Sequence, residues 1–568
     1  MPAGPSKGTC LKQMSRIGHK TVAFIQELSR KNGEMRISRM FWLCLALAIL
    51  GLLMGLLWSG KMPFLGSVDD GAKDVEETAG TGVEGSGVQY DFPYAGTSSQ
   101  APPEIPYPQG TVAGELVVSF ESRKDYLNYL KALARAGYAP LGQIDELLAV
   151  RIPEEALLQL NAGEYGARAG FSYEVTQPEP PERVAPAQLG RLLAFGTSAR
   201  DIVGGAPQGD GSGMLVGILD SGIEAHPQFD DVYIKNIDLA GGGVAGLGAD
   251  HGTSVASIIS GSEGIVPEAE LFVVRVLDDQ GRGNSFHVAE GIVQSVDLGV
   301  NIINMSLGLY QDAPIVRQAV RYAADRNVLL VAAAGNDGFD RMPYPAAYDE
   351  VLSVTAVDAG GRQAGFPNQS QAIDFAAPGV GVEAALGDEG TTLFSGTSAA
   401  APFVSGTLAL LMSGEAAMEP AAAVALLQRT LNDAGAPGTD PVYGAGALDW
   451  QRLRERNTKG LVDLALADIY LDPKALPGTT MPVEVTVQNR GTKWLNQAQL
   501  EVLVDDADPV IFSIGTLGPG QITTRKVYTQ IPSDSETGLD LAARVLPEVL
   551  DDDVRLENNI KVVSFRPR

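Results

Sequence analysis

The stretch Phe394-Ser-Gly-Thr-Ser-Ala-Ala-Ala-Pro-Phe-Val-Ser-Gly406 decides how the middle of this chain folds. Its small residues predict a turn at Gly396-Thr397-Ser398, and the apolar run that follows predicts a buried helix over Ala399–Met412. The first turn of a helix carries free N–H groups and the positive end of the helix dipole, so it can stabilise a developing anion. Pro402 is expected near the helix start, where a missing N–H costs least. Ser398 is therefore either a nucleophile or a capping residue before a core helix, and the rest of the chain decides between them.

Composition excludes some classes of function. The chain has 568 residues, of which 45% are hydrophobic and 20% are charged, and this indicates a globular protein of about three or four domains. The formal net charge of -27 argues against a nucleic acid partner, because phosphate binding needs clustered Lys and Arg. The only cysteines, Cys10 and Cys44, leave the rest of the chain without a disulfide or a cysteine-based metal site.

The N-terminal part of the sequence predicts a membrane anchor. The uncharged run MFWLCLALAILGLLMGLLW at residues 40–58 predicts a transmembrane helix, since about 1.5 Å per residue lets it span a bilayer core of roughly 30 Å. Residues 1–39 are basic and are expected to be cytoplasmic, whereas the acidic remainder is expected outside the membrane, either periplasmic or extracellular. A cleaved signal peptide is the alternative, but the segment before the run is long and no small-residue cleavage site follows it. Residues 59–110, rich in Gly, Pro and acidic residues, predict a flexible tether.

Three folded regions are predicted after the tether. Residues 111–178 show strand and helix patterns in the order βαββαβ, which is the split ferredoxin-like motif. Residues 200–455 alternate near-continuous apolar strands with helices, which predicts a three-layer α/β fold with a mostly parallel sheet covered on both faces. Residues 461–568 contain short strands separated by turns and predict an Ig-like β-sandwich.

Three further segments of the α/β region complement Ser398. Asp220 ends a predicted strand in ILDSGI, His251 begins a predicted helix in DHGTS, and Asn336 follows a strand in AAAGND. A serine hydroxyl is a weak nucleophile, so an imidazole must take its proton, and a carboxylate must orient that imidazole and stabilise its charged form. The oxyanion of the tetrahedral intermediate needs fixed donors, for which the Asn336 amide and the backbone N–H of Ser398 are the candidates.

Taken together, the motifs DSGI, HGTSVAS, NMSLG, AAAGN and GTSAAAP resemble those of the subtilisin-like (subtilase) serine proteases, which share the chain order Asp, His, Ser. The resemblance covers residues 200–455 and implies a subtilisin-like fold and a serine endopeptidase that forms an acyl-enzyme. It also implies that Asp220, His251 and Ser398 are the catalytic triad and that Asn336 is the oxyanion donor. The residues it implies for the substrate cleft, along which an extended peptide would add as a strand, are Ser306, Leu307, Gly308, Ala333 and Gly335. Three positions depart from frequent family residues: Ser254 replaces a histidine, Ala399 a methionine and Phe403 a histidine.

The flanking regions carry two further resemblances. Residues 111–178 resemble the inhibitory propeptide of subtilases, which assists folding, fills the cleft with its C-terminal tail and is then cut off. Residues 461–568 resemble the CARDB type of adhesion-like β-sandwich, which implies a domain that binds another protein or a surface. If the chain cuts itself between Val175 and Arg200, the catalytic region loses its membrane anchor, so we expect self-processing to release the protease.

The predicted chemistry requires no cofactor. Structural calcium is common in the family, but the sequence offers no ligand set for it, and no other metal site is expected. Among the weaker candidates, His226 is disfavoured as a metal ligand, His287 is expected to be solvated, and Asp551–Asp553 is expected to be a solvated turn. Two alternatives stay open: a catalytically inactive binding or scaffold protein of the cell envelope, and a serine hydrolase of another kind, such as an esterase. The complete catalytic set and the strand-lined cleft favour a protease that acts on proteins or peptides.

Overall fold

The computed structural model describes residues 107–181, 191–204, 210–242, 250–414, 417–505, 507–533, 538–548 and 552–566, all within the unit Gly85–Arg568. The predicted cytoplasmic segment, the predicted transmembrane helix at residues 40–58 and nearly all of the tether lie outside these residues. Among the helices that are described, none combines the length and the apolar character needed to cross a membrane.

The first described region has the predicted βαββαβ order. Its strands are β1 (Thr111–Phe120), β2 (Gly142–Ile144), β3 (Ala149–Pro153) and β4 (Ala167–Thr176), and its helices are α1 (Arg123–Arg135) and α2 (Glu154–Gln159). The strands form an antiparallel sheet in the order β2-β3-β1-β4. Helix α1 begins after Ser122, whose hydroxyl oxygen accepts from the N–H of Asp125 at 3.1 Å and caps the helix. Leu116, Tyr126 and Ile152 belong to the buried core of this region.

A seven-stranded parallel sheet forms the centre of the second region. Its strands are β5 (Leu215–Asp220), β6 (Ile234–Asp238), β7 (Glu270–Arg275), β9 (Ile302–Met305), β10 (Leu329–Ala333), β11 (Leu352–Val357) and β12 (Phe375–Pro378). Their order is β12-β11-β10-β9-β5-β7-β6, and every neighbouring pair is parallel. The strands β8 (Arg282–Asn284), β13 (Val382–Leu386) and β14 (Gly390–Phe394) lie outside this sheet.

Helices cover both faces of the parallel sheet, as predicted. They are α3 (Ala199–Ile202), α4 (Asp250–Ile259), α5 (Ser285–Leu298), α6 (Pro314–Ala324), α7 (Thr397–Met412), α8 (Pro420–Arg429) and α9 (Trp450–Glu455). Ile218 joins an apolar cluster that contains residues of α4 and α7, whereas its neighbour Leu219 joins a cluster that contains residues of α5 and α6. This division follows from the strand, in which successive side chains point to opposite faces.

Helix α7 begins at Thr397, two residues before its predicted start, so Ser398 lies inside the first turn. The expected position of Pro402 near the helix start was wrong, because Pro402 lies inside the helix. Its missing N–H leaves the carbonyl of Ser398, four residues earlier, without a helical partner.

The last region contains two antiparallel sheets, in agreement with the predicted β-sandwich. Its strands are β15 (Leu464–Tyr470), β16 (Thr480–Asn489), β17 (Ala498–Val504), β18 (Val510–Ile514), β19 (Ile522–Gln530), β20 (Leu539–Pro547) and β21 (Ile560–Phe565). The sheet orders are β15-β16-β19 and β18-β17-β20-β21, and the core between them includes Val485, Leu500 and Val545. The expectation of a solvated turn at Asp551–Asp553 was wrong for Asp553, which is buried and accepts hydrogen bonds from Leu464 N and Asn559 Nδ2, both at 3.1 Å.

Candidate active site

The structure brings the four predicted catalytic residues to one edge of the parallel sheet. Asp220 is the last residue of β5, Asn336 follows β10 by three residues, His251 is the second residue of α4 and Ser398 is the second residue of α7. The carboxyl ends of parallel strands meet at this edge, which is where sites form in open α/β sheets. His251, Asn336 and Ser398 line the same cavity of about 280 Å³.

The imidazole of His251 is oriented by a buried carboxylate. Its Nδ1 lies 2.8 Å from Oδ1 of Asp220, whose side chain is fully buried and also accepts from the N–H of Ser221 at 2.7 Å. The helix that carries His251 packs closely against the loop after β5. This packing requires a glycine at position 252, because a Cβ there would lie 2.0 Å from the carbonyl oxygen of Gly222. A proton on Nδ1 that faces Asp220 leaves Nε2 free to accept a proton from a nucleophile.

The hydroxyl of Ser398 is buried and available. Only 2% of this residue is exposed, and its Oγ has no hydrogen-bond partner among the described residues. The Ser398 carbonyl, which Pro402 leaves without a helical donor, accepts a long hydrogen bond from Ser306 Oγ at 3.3 Å. The Ser306 hydroxyl is fully buried and accepts in turn from Asn304 Nδ2 at 3.2 Å. The side chain of Ser306, predicted to line the cleft, therefore contacts the main chain of Ser398.

The amide of Asn336 is fixed in one orientation. Its Oδ1 accepts from both the backbone N–H and the hydroxyl of Thr397, at 3.0 and 2.9 Å. Its Nδ2 consequently faces the cleft, where it donates to the carbonyl of Glu179 at 2.9 Å. Gly396 has a φ of 130°, and a Cβ at this position would lie 3.0 Å from Asn336 Nδ2, so a larger residue would disturb the donor.

A segment of the first region occupies the cleft as an added strand. Thr176 exchanges two backbone hydrogen bonds with Gly308, at 3.0 and 2.8 Å, and pairs on its other side with Arg282 of β8. The N–H of Gln177 donates to Gly281 at 2.9 Å. Of Ser306, Leu307 and Gly308, which were predicted to line the cleft, Gly308 is therefore paired with a segment of the chain itself.

The other residues predicted for the cleft, Leu307, Ala333 and Gly335, are not among those that line the cavity beside His251 and Ser398. Leu307 and Ala333 are fully buried, and the N–H of Gly335 donates to the Thr397 hydroxyl at 3.1 Å. Sequence reasoning missed β8, which borders the cleft, and Phe394, whose ring contacts the His251 ring edge-on at 5.5 Å. The available signal for β8 was the pair of glycines around Arg282.

Asp250, next to His251, lies close to two further carboxylates, Glu224 and Asp388. Burial raises the pKa of Glu224, and the nearby charges of Asp250 and Asp388 raise it further. No group of three His, Cys, Asp or Glu side chains is arranged to hold a metal ion in the described part of the chain. His226 is occupied by main-chain contacts with Gly390 and Gln228. The expectation that His287 is solvated was wrong, since it is partly buried, and burial together with the charge of Arg151 lowers its pKa to about 4.

Known proteins resemble the second and third regions of this chain. Residues 211–446 match the Peptidase_S8 model, described as the subtilase family, and residues 461–562 match the CARDB model. Subtilisin BL of Lederbergia lenta is 33% identical over 252 residues, which cover 42% of this chain and 90% of that protein. The minor extracellular protease Epr of Bacillus subtilis is 33% identical over 250 residues, covering 42% of this chain but only 38% of that protein. The crystal structure of fervidolysin from Fervidobacterium pennivorans has 20% identity and a TM-score of 0.52, covering 82% of this chain and 77% of that chain, which is a likeness of fold alone.

Proposed function

The chain belongs to the subtilase family of serine peptidases and carries a C-terminal CARDB domain, and from this premise we propose that Asp220, His251 and Ser398 act as its catalytic triad. The observation that carries the proposal is the 2.8 Å contact between Asp220 and His251, together with the buried Ser398 hydroxyl, which lines the same cavity as His251 and has no hydrogen-bond partner in the part of the chain that the structure describes. As a subtilisin-like serine peptidase, the protein acts on protein or peptide substrates.

Each residue has a defined role in the proposed reaction. His251 Nε2 takes the proton of the Ser398 hydroxyl as Oγ adds to the substrate carbonyl, while Asp220 holds the imidazole and stabilises its charged form. The Asn336 amide and the backbone N–H of Ser398 donate to the resulting oxyanion. The C–N bond then breaks as His251 passes the proton to the leaving nitrogen, and water hydrolyses the acyl-enzyme with His251 again as base.

The test of this site is covalent labelling of the full chain with a serine-reactive fluorophosphonate probe. The wild type should be labelled after its cleft is opened by limited digestion, and Ser398→Ala should not. Ser413→Ala is the matched control, because Ser413 lies just beyond the C-terminal end of α7 and its hydroxyl donates to Leu410 O at 3.0 Å. Labelling of Ser398→Ala at the wild-type level would refute the assignment. An inactive scaffold, the alternative, is not favoured, because it leaves the buried, aligned Asp220–His251 pair without a use.

The membrane arrangement is a second part of the proposal. Residues 40–58 would anchor the protein once in the cell membrane, with the catalytic domain outside the cytoplasm and the CARDB domain available to bind another protein or a surface. Residues 111–178 would act as a propeptide, a role supported by the position of Thr176 in the cleft. Self-processing between Val175 and Arg200 would then release the catalytic region from the membrane. Fractionation of cells tests this, and a catalytic fragment that stays in the membrane after processing contradicts it.

A further inference from the structure

The segment Gln177-Pro178-Glu179-Pro180-Pro181, here called the cleft-bound tail, contributes three residues to the lining of the cavity that contains Ser398. Asn336 Nδ2 donates to the Glu179 carbonyl at 2.9 Å, so the proposed oxyanion donor binds the carbonyl oxygen of this residue. Pro178 and Pro180 line the cavity together with His251 and Ser398. The bond presented to the catalytic residues is therefore the one between Glu179 and Pro180.

This bond has an unfavourable leaving group. To break it, Ser398 Oγ must add to the Glu179 carbonyl carbon, and His251 must pass the serine proton to the nitrogen of Pro180 as the C–N bond breaks. That nitrogen carries a ring carbon where other residues carry hydrogen, and the ring fixes φ near about −65°. The nitrogen lone pair cannot turn towards His251 unless the whole ring moves within the cavity.

Most of the neighbouring peptide bonds in the tail are equally poor sites for cleavage. Gln177–Pro178 and Pro180–Pro181 also end on proline nitrogens, which leaves Pro178–Glu179 as the bond in this segment with an ordinary N–H. A proline also disfavours the helical conformation of the residue before it, so Gln177 and Glu179 are biased towards the extended form that the cleft requires. A segment that is already extended loses little conformational entropy when it binds.

The region that precedes the tail is also held firmly against the catalytic region. Val175 and Ile144 share one apolar cluster with Phe286 and Val288 of helix α5. The guanidinium of Arg151 lies over the Phe286 ring, 5.5 Å from its centroid. Release of this preceding region would expose the apolar surface to water, which opposes departure of the region and of the tail that follows it, even after a cut elsewhere in the chain.

We propose that the cleft binds Gln177–Pro181 as an inhibitor that is not cut, and that Pro180 is the residue that prevents its hydrolysis. The enzyme is then activated by displacement of the tail, or by a cut outside Gln177–Pro181. This inference rests on the proposed roles of Ser398 and Asn336, and it excludes the cleft-bound tail from the interval proposed for self-processing.

The experiment compares the full chain with its variants Pro180→Ala and Glu179→Ala, each carrying a C-terminal tag. The first variant restores a nitrogen that carries hydrogen, whereas the second is the matched control, because it changes the neighbouring residue and keeps the bond to proline. We expect Pro180→Ala to yield a tagged fragment that begins at residue 180, at least about 10-fold more than the wild type or Glu179→Ala. The double variant Ser398→Ala/Pro180→Ala should yield none. Mass spectrometry of the new N-terminus identifies the bond that was cut.

Two outcomes overturn the inference while the catalytic assignment stands. One is a wild-type fragment that begins at any residue from 178 to 181 and is lost in Ser398→Ala. The other is a Pro180→Ala protein that stays uncut although the fluorophosphonate probe labels Ser398 in it. If no variant is labelled even after limited digestion opens the cleft, the catalytic assignment itself fails and the inference fails with it.

Discussion

The hydroxyl of Ser306 donates to the main-chain carbonyl of Ser398 at 3.3 Å, from a segment 92 residues earlier in the sequence. In a regular helix this carbonyl would accept from the N–H of residue 402, which is a proline here and has none. Ser306 thus supplies the missing donor to the main chain of the proposed nucleophile. This contact links a segment that lines the cleft to the turn that positions Ser398.

Removal of this donor should reduce turnover. We expect Ser306→Ala to lower kcat by about 5- to 10-fold with little change in KM, since it leaves one buried carbonyl without a partner. Pro402→Ala restores a helical N–H, so Ser306→Ala should have a smaller effect in that background. The measurement is the four-variant cycle on a chromogenic peptide. Equal losses in both backgrounds would show that Ser306 acts in some other way.

The orientation of the Asn336 amide leads to a second prediction. Removal of one oxyanion donor lowers kcat by about 10²–10³-fold, a magnitude measured on a subtilisin itself, and we expect a loss of this order for Asn336→Leu. Thr397→Val should lower kcat by about 10-fold, because it removes the hydroxyl that donates to Asn336 Oδ1 at 2.9 Å. Thr397→Ser keeps that hydroxyl and should be close to wild type. A loss in Thr397→Ser as large as that in Thr397→Val would contradict this role, and kcat and KM on a peptide substrate decide.

The buried carboxylate of Asp220 leads to a third prediction. Asp220→Asn should lower kcat by about 10⁴-fold, because the amide no longer selects the tautomer that leaves His251 Nε2 free. Combining it with His251→Ala should cost little more than His251→Ala alone, since residues that act as one unit are not additive. Steady-state kinetics of the two single variants and the double variant test this. If the loss of kcat in the double variant equals the product of the two single losses, the 2.8 Å contact between Asp220 and His251 is not used in catalysis.

The sequence predicted the elements that carry strong apolar periodicity. The strand that ends at Asp220 and the strand that precedes Asn336 were predicted because they are short, apolar and followed by polar residues. It missed β6, whose sequence Ile-Lys-Asn-Ile-Asp has too few apolar residues, and the edge strand β8. Edge strands depend on what pairs with them, and β8 pairs with residues that lie more than 100 positions earlier.

The proposed catalytic residues could be picked out from the sequence because each lies in a short local motif, whereas the contacts that support them could not. Ser306 was assigned to the cleft from its motif, but its contact with Ser398 depends on how α7 packs against the sheet. The position of Glu179 beside Asn336 depends likewise on the docking of two regions. Long-range contacts of this kind have no periodic signature in the sequence.

Phe403, which replaces a histidine frequent in the family, leads to a prediction about stability. Its ring is fully buried, with its centroid 5.5 Å from that of Trp450, whose indole N–H donates to Thr407 Oγ1 at 2.9 Å. We expect Phe403→Ala to lower the free energy of unfolding by about 3–5 kcal/mol, and Phe403→Leu by less than about 1.5 kcal/mol. Phe403→His should also destabilise the protein, by about 1–3 kcal/mol, because it buries an unpaired polar ring. Urea-induced unfolding measures all three, and a histidine variant as stable as the wild type would contradict this account.

The pH dependence of stability should reflect Asp433, which lies where the catalytic domain meets the β-sandwich. Its carboxyl accepts from Gly438 N at 2.9 Å, its own N–H donates to Gln488 Oε1 at 3.2 Å, and only 4% of the residue is exposed. Burial raises the pKa of Asp433 to about 7, the charges of Asp440 and Asp468 act in the same direction, and Arg490 opposes them. Between a pH of about 4 and about 7, the Asp433 carboxyl of the folded chain therefore keeps a proton that the same group has lost in the unfolded chain.

The stabilisation that this proton provides is complete below a pH of about 4 and is lost as the pH rises to about 7. Asp433→Asn places a neutral group at the same position, so its free energy of unfolding should fall less than that of the wild type between pH 5 and 8, by about 1–3 kcal/mol. Asp472→Asn is the control, because Asp472 is exposed on the β-sandwich, and it should follow the wild-type profile. Urea-induced unfolding at several pH values measures the difference. If Asp433→Asn and the wild type lose stability in parallel, Asp433 is not protonated in the folded protein, and the pH dependence arises from another group.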